Sequence, residues 1–164
     1  MPLDAITLRA TVLELSALKG ARIEKIYQPE HLILVLSVRG NQKLLISAGA
    51  APRICLTNDK PENPANPPMF CMLLRKHLTG AKIRNIIQPG LERVVQIEFD
   101  TTDEMGDPSK KMLTAELFGR QANIIMQDAD GRIIDCLRRV DISMSEERQI
   151  LPGMFYRLPK TAGR

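Results

Sequence analysis

Tryptophan is absent from this sequence, histidine occurs twice, cysteine three times, and aromatic residues make up only 4% of the chain. Each shortage excludes something. Cys55, Cys71 and Cys136 are odd in number, widely spaced and without a C-x-x-C pair, so neither a disulfide framework nor a zinc knuckle is encoded. With His31 and His77 as the only imidazoles, a tetrahedral metal site would have to gather ligands from across the whole fold. No metal and no cofactor are expected, and the thiols read as reduced and cytosolic. The opening MPLDAITLRATVLELSALKG interrupts its apolar residues with charge too often for a signal peptide, which needs a run of roughly 7 to 15 apolar residues. No later run is long enough to span a bilayer. A cytoplasmic setting is expected.

What is present suits one compact domain: 164 residues, 44% hydrophobic and 26% charged. A net charge of +4 and a pI near 9.1 admit an anionic partner but do not establish one, because the placement of the charge matters more than its total.

Asp4 can cap a first helix from about Ala5 to Lys19, stopped by Gly20. Ile6, Ala10, Leu13 and Ala17 form one apolar row, and Leu8, Val12 and Leu15 a second beside it, so the helix is expected to be broadly buried. ARIEKIYQ, HLILVLSVR and KLLISA then read as an antiparallel meander turning at Pro29-Glu30 and Gly40-Asn41, with RICLT as a further short strand. NPPMFCMLLRKHLTG reads as a second helix, capped by Asn66, with Pro67 or Pro68 at its first position and Gly80 at its end. Phe70, Leu73, Leu74 and Leu78 should face the core. Cys71 lies where a helix dipole can activate a thiol, but a small buried hydrophobe is the favoured reading. AKIRNIIQ, Pro89-Gly90 and LERVVQIEFD form a second hairpin. TTDEMGDPSKK reads as a polar loop, and MLTAELF, ANIIMQ and RIIDCL as three more strands. The tail from Arg138 has weak patterning and two Leu-Pro breaks, as at the edge of a domain. Two helices and two groups of antiparallel strands predict an α+β fold, a β-sandwich with a helix against each sheet or at its ends.

In order and spacing, PLDAITLRATVLEL, GARIEKIYQP, KLLISA, ENPANPPMFCMLLRKHLTG, GLERVVQIEF, ELFGRQANII and ILPGMFYRLP resemble the NFACT-N domain. That domain opens the bacterial RqcH proteins, also known as fibronectin- or fibrinogen-binding proteins, and their eukaryotic NEMF relatives. The resemblance covers nearly the whole chain. It implies a single domain over 1–164, an N-terminal fragment lacking the helix-hairpin-helix, coiled-coil and NFACT-R regions of longer members. It further implies a non-catalytic tRNA-binding module of a ribosome quality control factor. Such factors bind the large ribosomal subunit with its peptidyl-tRNA and recruit charged tRNA, alanyl-tRNA in bacteria, to extend stalled chains without mRNA.

Carried over residue by residue, the resemblance places an early aspartate at Asp4 and an Asp-Arg pair at Glu92 and Arg93. The glutamate departs from the family pattern, and its added methylene displaces the carboxylate by about one C–C bond, enough to disturb a hydrogen bond of fixed geometry. Adjacent strand residues point to opposite faces, so this pair can serve one ligand only if the strand begins after it. Arg120 and a basic cluster of Arg75, Lys76, Lys82 and Arg84 are candidate RNA-phosphate contacts, a solvated rim being the alternative for each. Two other functions compete. A fibronectin-binding surface adhesin would need export. A DNA glycosylase or abasic-site lyase would use Pro2 as its amine, since the fold also resembles the N-terminal domain of formamidopyrimidine DNA glycosylases. In that comparison Leu3 replaces the glutamate such enzymes carry after the proline, and their zinc finger has no counterpart.

Overall fold

In a computed structural model the chain is described over residues 5–49, 51–58, 67–90, 92–118, 121–145 and 148–159. Helix α1 (Ala5–Leu15) runs into a single 3-10 turn (Ser16–Leu18). Leu8, Val12 and Leu15 are buried together with Leu18, whereas Ile6 is 75% and Leu13 71% exposed, with Ala10 and Ala17 also on the surface. The broad burial expected of this helix is therefore wrong for one of its two rows. A helix laid against the rim of a sandwich has room to bury one stripe, and the longer side chains of the Leu8 row take it.

Four antiparallel strands make the first sheet in chain order: β1 (Ile23–Glu30), β2 (Ile33–Val38), β3 (Gln42–Ser47) and β4 (Arg53–Thr57). The first turn falls at residues 31–32 rather than at Pro29-Glu30, because Glu30 pairs with Ile33 and Pro29 lies inside β1. An edge strand tolerates a missing N–H, and the register slips between Tyr27 and Glu30 to absorb it. The second turn is where the sequence puts it. Gly40 and Asn41 take φ of 96° and 63°, the left-handed geometry that favours these two residues.

Helix α2 (Met69–Leu78) follows, with Pro68 at its cap and Met69, not a proline, in its first position; Asn66, expected to cap it, lies outside the described residues. Phe70, Cys71, Leu74 and Leu78 are buried, and Leu73 packs partly against them. The Cys71 thiol donates to the Ile26 carbonyl at 3.7 Å. Burial pushes its pKa up, only partly offset by Arg75 and by the backbone at Gln28. It is a packed thiol.

The second sheet is β5 (Lys82–Ile87), β6 (Val94–Thr102), β7 (Pro108–Glu116), β8 (Asn123–Asp128) and β9 (Ile133–Cys136), again antiparallel in chain order. Much of the expected polar loop TTDEMGDPSKK is strand. Thr102 pairs with Pro108 and Asp100 with Lys110, so charge complementarity across the ladder carries the hairpin outward. Only residues 103–107 turn, held by the Asp103 carboxylate, which accepts the amides of Met105 and Asp107 at 2.9 Å each.

One core fills the space between the sheets, with Leu8, Ile26, Leu36, Ile46, Leu74, Ile83, Phe99 and Ile124 among its members. The sheets are stitched where β1 meets β5: Gly20 N–H donates to Ile83 O at 2.7 Å and Ile23 N–H to Ala81 O at 2.8 Å. The tail does more than end a domain. It crosses the outer face of the second sheet and covers the β9 edge, with Ile133 N–H donating to Met154 O at 2.7 Å and Tyr156 N–H to Gly131 O at 2.8 Å. Ile125, Ile133, Cys136 and Ile150 form a small second core beneath it. Burial, then the Asp135 charge, pushes the Cys136 thiol up to about 12.

Leu74→Ala is expected to cost about 2–5 kcal/mol in urea unfolding, whereas Leu13→Ala, on the exposed row, should stay within about 0.5 kcal/mol. The half-buried His77 supplies a pH test. Burial first, then Lys111 and Lys76, lower its pKa against the opposing pull of Glu104. The unfolded chain therefore takes up this proton before the folded one does. The stability tied to neutral His77 is complete above about pH 6.5 and is lost as pH falls below it, so His77→Gln should flatten the dependence of the urea midpoint on pH in that range.

Candidate nucleic-acid interface

One rung of the second sheet organises the site. Val94 at the start of β6 pairs with Glu116 at the end of β7, and Glu116 pairs with Asn123 at the start of β8. The turn before β6 and the loop after β7 consequently leave the sheet from the same edge. The turn carries Glu92 and Arg93, and the loop begins with Leu117 and Phe118 and carries Arg120. Arg120 itself, like Asp4, lies outside the described residues.

Glu92 and Arg93 precede the strand, which meets the condition for both side chains to reach one ligand. The turn is held at several points. Glu92 N–H donates to Pro89 O at 3.2 Å, and the Gln88 amide donates to Glu92 O at 2.6 Å. Arg93 O accepts the Leu117 amide at 2.8 Å. The Arg93 guanidinium lies over the Phe118 ring, 5.6 Å from its centroid, a cation–π contact that holds one face of the planar fork. From α1, Arg9 Nη2 donates to Gly90 O at 2.5 Å. The helix that follows Asp4, the Glu92-Arg93 turn and the base of the Arg120 loop therefore meet at one edge.

The basic cluster lies elsewhere. From Arg93 to Asp100, which faces Lys82, β6 runs about 23 Å at the usual rise per residue. Arg75 Nε donates to Ile26 O at 2.9 Å, tying α2 to β1. Lys76 sits 3.9 Å from Glu104 and Arg84 3.5 Å from Asp100, both exposed pairs. Lys82 is exposed beside them. Lys76, Lys82 and Arg84 lie at the far end of the second sheet, and Arg75, Lys76 and Arg84 already have partners.

Sequence reasoning missed the groups that hold the edge. Glu116, only 1% exposed, is gripped by both terminal nitrogens of Arg148, Nη1 at 3.1 Å, and by the Tyr156 hydroxyl at 2.5 Å. Arg148 also donates through Nε to Arg157 O at 2.9 Å and lies over the Tyr156 ring at 5.2 Å. Burial alone would lower the Arg148 pKa, but the bonds and charge of Glu116 outweigh it and raise it. Burial and the Glu116 charge raise that of Tyr156 as well. Beside them, Asn123 accepts the Arg138 amide at 2.9 Å and donates to the Arg138 carbonyl at 2.8 Å. A glutamate inside a strand gave no hint of burial, and Arg148 and Tyr156 stand in a tail without periodicity.

Among the described residues, no group of three or more His, Cys, Asp or Glu side chains is placed to hold a metal ion. Among them, too, no helix is long and apolar enough to cross a membrane. The edge brings together a planar cation over an aromatic ring and a neighbouring carboxylate.

Comparison with known proteins agrees with the sequence resemblance. The model of the family described as NFACT N-terminal and middle domains matches residues 4–164. The chain is 43% identical over 145 residues to the Rqc2 homolog RqcH of Bacillus subtilis, covering 85% of this chain and 25% of that protein. It is 31% identical over 139 residues to the human ribosome quality control complex subunit NEMF, covering 82% of this chain and 12% of NEMF. The crystal structure of the N-terminal domain of the fibronectin-binding protein PavA from Streptococcus pneumoniae superposes with a TM-score of 0.91 at 38% identity, over 96% of this chain and 62% of that one. The chain thus spans a quarter or less of these two full-length relatives. Its sequence, its two-sheet α+β fold and these likenesses agree: the chain belongs to the family of NFACT N-terminal and middle domains.

Proposed function

We propose that this chain is a non-catalytic RNA-binding module of a ribosome quality control factor, with tRNA as its direct ligand. In this reading the protein is cytoplasmic and ribosome-associated. It recruits charged tRNA, alanyl-tRNA in bacteria, to obstructed large subunits for mRNA-independent tailing, and the peptide bond remains the ribosome's chemistry. The observation that carries the reading is the meeting of α1, the Glu92-Arg93 turn and the base of the Arg120 loop at one sheet edge. Arg93 supplies a planar fork for phosphate or base edges, and Glu92 an acceptor for base amino groups. The names of the relatives, which place them in ribosome quality control, support the same reading.

The test is a salt-series titration against tRNA and an abasic DNA duplex. Arg93→Ala should weaken tRNA binding roughly tenfold and lower the salt slope by about one counterion. Arg84→Ala, at the far end and already paired, should change affinity far less. Equal, steeply salt-dependent binding to both nucleic acids would reduce the site to generic basicity. A borohydride-trapped DNA adduct dependent on Pro2 would replace it with lyase chemistry. The PavA likeness makes fibronectin the necessary third ligand, and saturable binding there that ignores Arg93→Ala would favour an adhesin.

A further inference from the structure

The Glu116 carboxylate is out of place on chemical grounds. It is sealed from water at the last rung of the sheet, where an apolar residue would fill the same position without needing a counter-charge. Its partners come from 32 and 40 residues further along the chain. Both belong to the tail, so closing this contact brings two distant segments to one point.

That point is the root of the RNA-facing edge. Glu116 pairs across the ladder with Val94, the residue after Arg93, and with Asn123, the first residue after the loop. The next residue along, Leu117, donates to Arg93 O at 2.8 Å, and the one after, Phe118, carries the ring beneath the Arg93 guanidinium. Phe118 O in turn accepts the Gln121 amide at 2.9 Å on the far side of the loop. Any rotation of the β7 terminus is therefore passed to Arg93 through a hydrogen bond and a ring contact.

Resting on the tRNA reading above, we infer that Arg148 and Tyr156 are positioning residues for that site. By clamping the Glu116 carboxylate they fix the end of β7, the Phe118 ring and, through it, the direction of the Arg93 fork. Neither residue touches the ligand. Arg148 supplies the counter-charge and a two-point grip, which fixes the carboxylate plane as a single contact would not. The Tyr156 hydroxyl, a single donor on Glu116, sets the remaining degree of freedom while its ring lies against Arg148.

Tyr156→Phe is the mild variant, since it removes one hydroxyl and keeps the ring. In the free protein it should move the Arg93 Nε–H resonance and the Phe118 ring resonances, and it should weaken tRNA binding roughly fivefold at a temperature where the fold is intact. The effect on affinity should vanish in the Arg93→Ala background, because a misaimed fork costs nothing once the fork is gone. Glu116→Gln, which keeps the shape and removes the charge, should act in the same direction. A purely structural contact would lower the melting temperature yet leave the Arg93 and Phe118 resonances in place, and its effect on affinity would add to that of Arg93→Ala. Either result overturns the inference. Should the unaltered protein fail to bind tRNA, the functional reading falls, and the resonances of the free protein still decide whether Tyr156 positions Arg93.

Discussion

A carboxylate cannot stay ionised out of water without a partner, and removing the partner of a buried ion pair typically costs about 3–5 kcal/mol. Glu116 imposes that constraint on this domain. Because Arg148 and Tyr156 both answer it, the tail cannot leave the outer face of the second sheet without stranding a charge. Much else at this end follows from the tail staying down. The β9 edge is covered, Ile150 closes the small core over Ile125 and Ile133, and Arg138 is held in place by Asn123. The polar outer face of the sheet, where Thr114 donates to Gln127 at 2.7 Å, becomes interior.

The opposite end of the molecule is secured by different means. There the two sheets are joined by backbone hydrogen bonds between the segment before β1 and the start of β5, and α2 is tied to β1 through Arg75. The main core between the sheets is almost wholly aliphatic, with Phe99 its largest fully buried side chain. A core of this kind fixes the sheets relative to each other but is indifferent to side-chain direction at the rim. Directionality at the Arg93 edge has to come from polar groups, and the Glu116 clamp, the Gln88 bond to Glu92 O and the Arg9 bond to Gly90 O provide it.

The elements legible in the sequence are those whose burial is periodic. Val95, Ile97 and Phe99 alternate, Phe70, Leu74 and Leu78 recur at helical spacing, and Gly40-Asn41 has the only chemistry its turn needs; each sits where the pattern puts it. The misreadings have a common physical source. Pro29 is compatible with a strand only at a sheet edge, and edge status is a property of the whole sheet rather than of the residues around the proline. Lys110 and Thr102 read as loop residues until Asp100 and Pro108 are known to lie opposite them. On α1, two apolar rows compete for burial, and that the receiving surface has room for only one stripe is a property of that surface rather than of the helix. At the candidate site, Glu92 and Arg93 are singled out by family resemblance, whereas Phe118 beneath Arg93 and the grip of Arg148 and Tyr156 on Glu116 are contacts between segments far apart in the chain.

Several cations among the described residues are already engaged. Lys76, Arg84 and Arg148 face carboxylates, Arg75 is committed to a carbonyl, and Arg132 lies over the Phe155 ring. A cation already paired with a carboxylate releases fewer counterions when a polyanion binds, so these ion-paired residues add less to a nonspecific attraction than their charge suggests. On the proposed tRNA reading, discrimination would rest on a few donors and acceptors held in fixed directions. Under that condition the difference between glutamate and aspartate at position 92 becomes chemically significant, because the extra methylene changes reach and freedom while leaving the charge alone. The Gln88 bond to the Glu92 carbonyl fixes the backbone from which that longer side chain starts. The turn thereby limits the added freedom to the side chain itself, while the Leu117 amide on Arg93 O holds the backbone beside it.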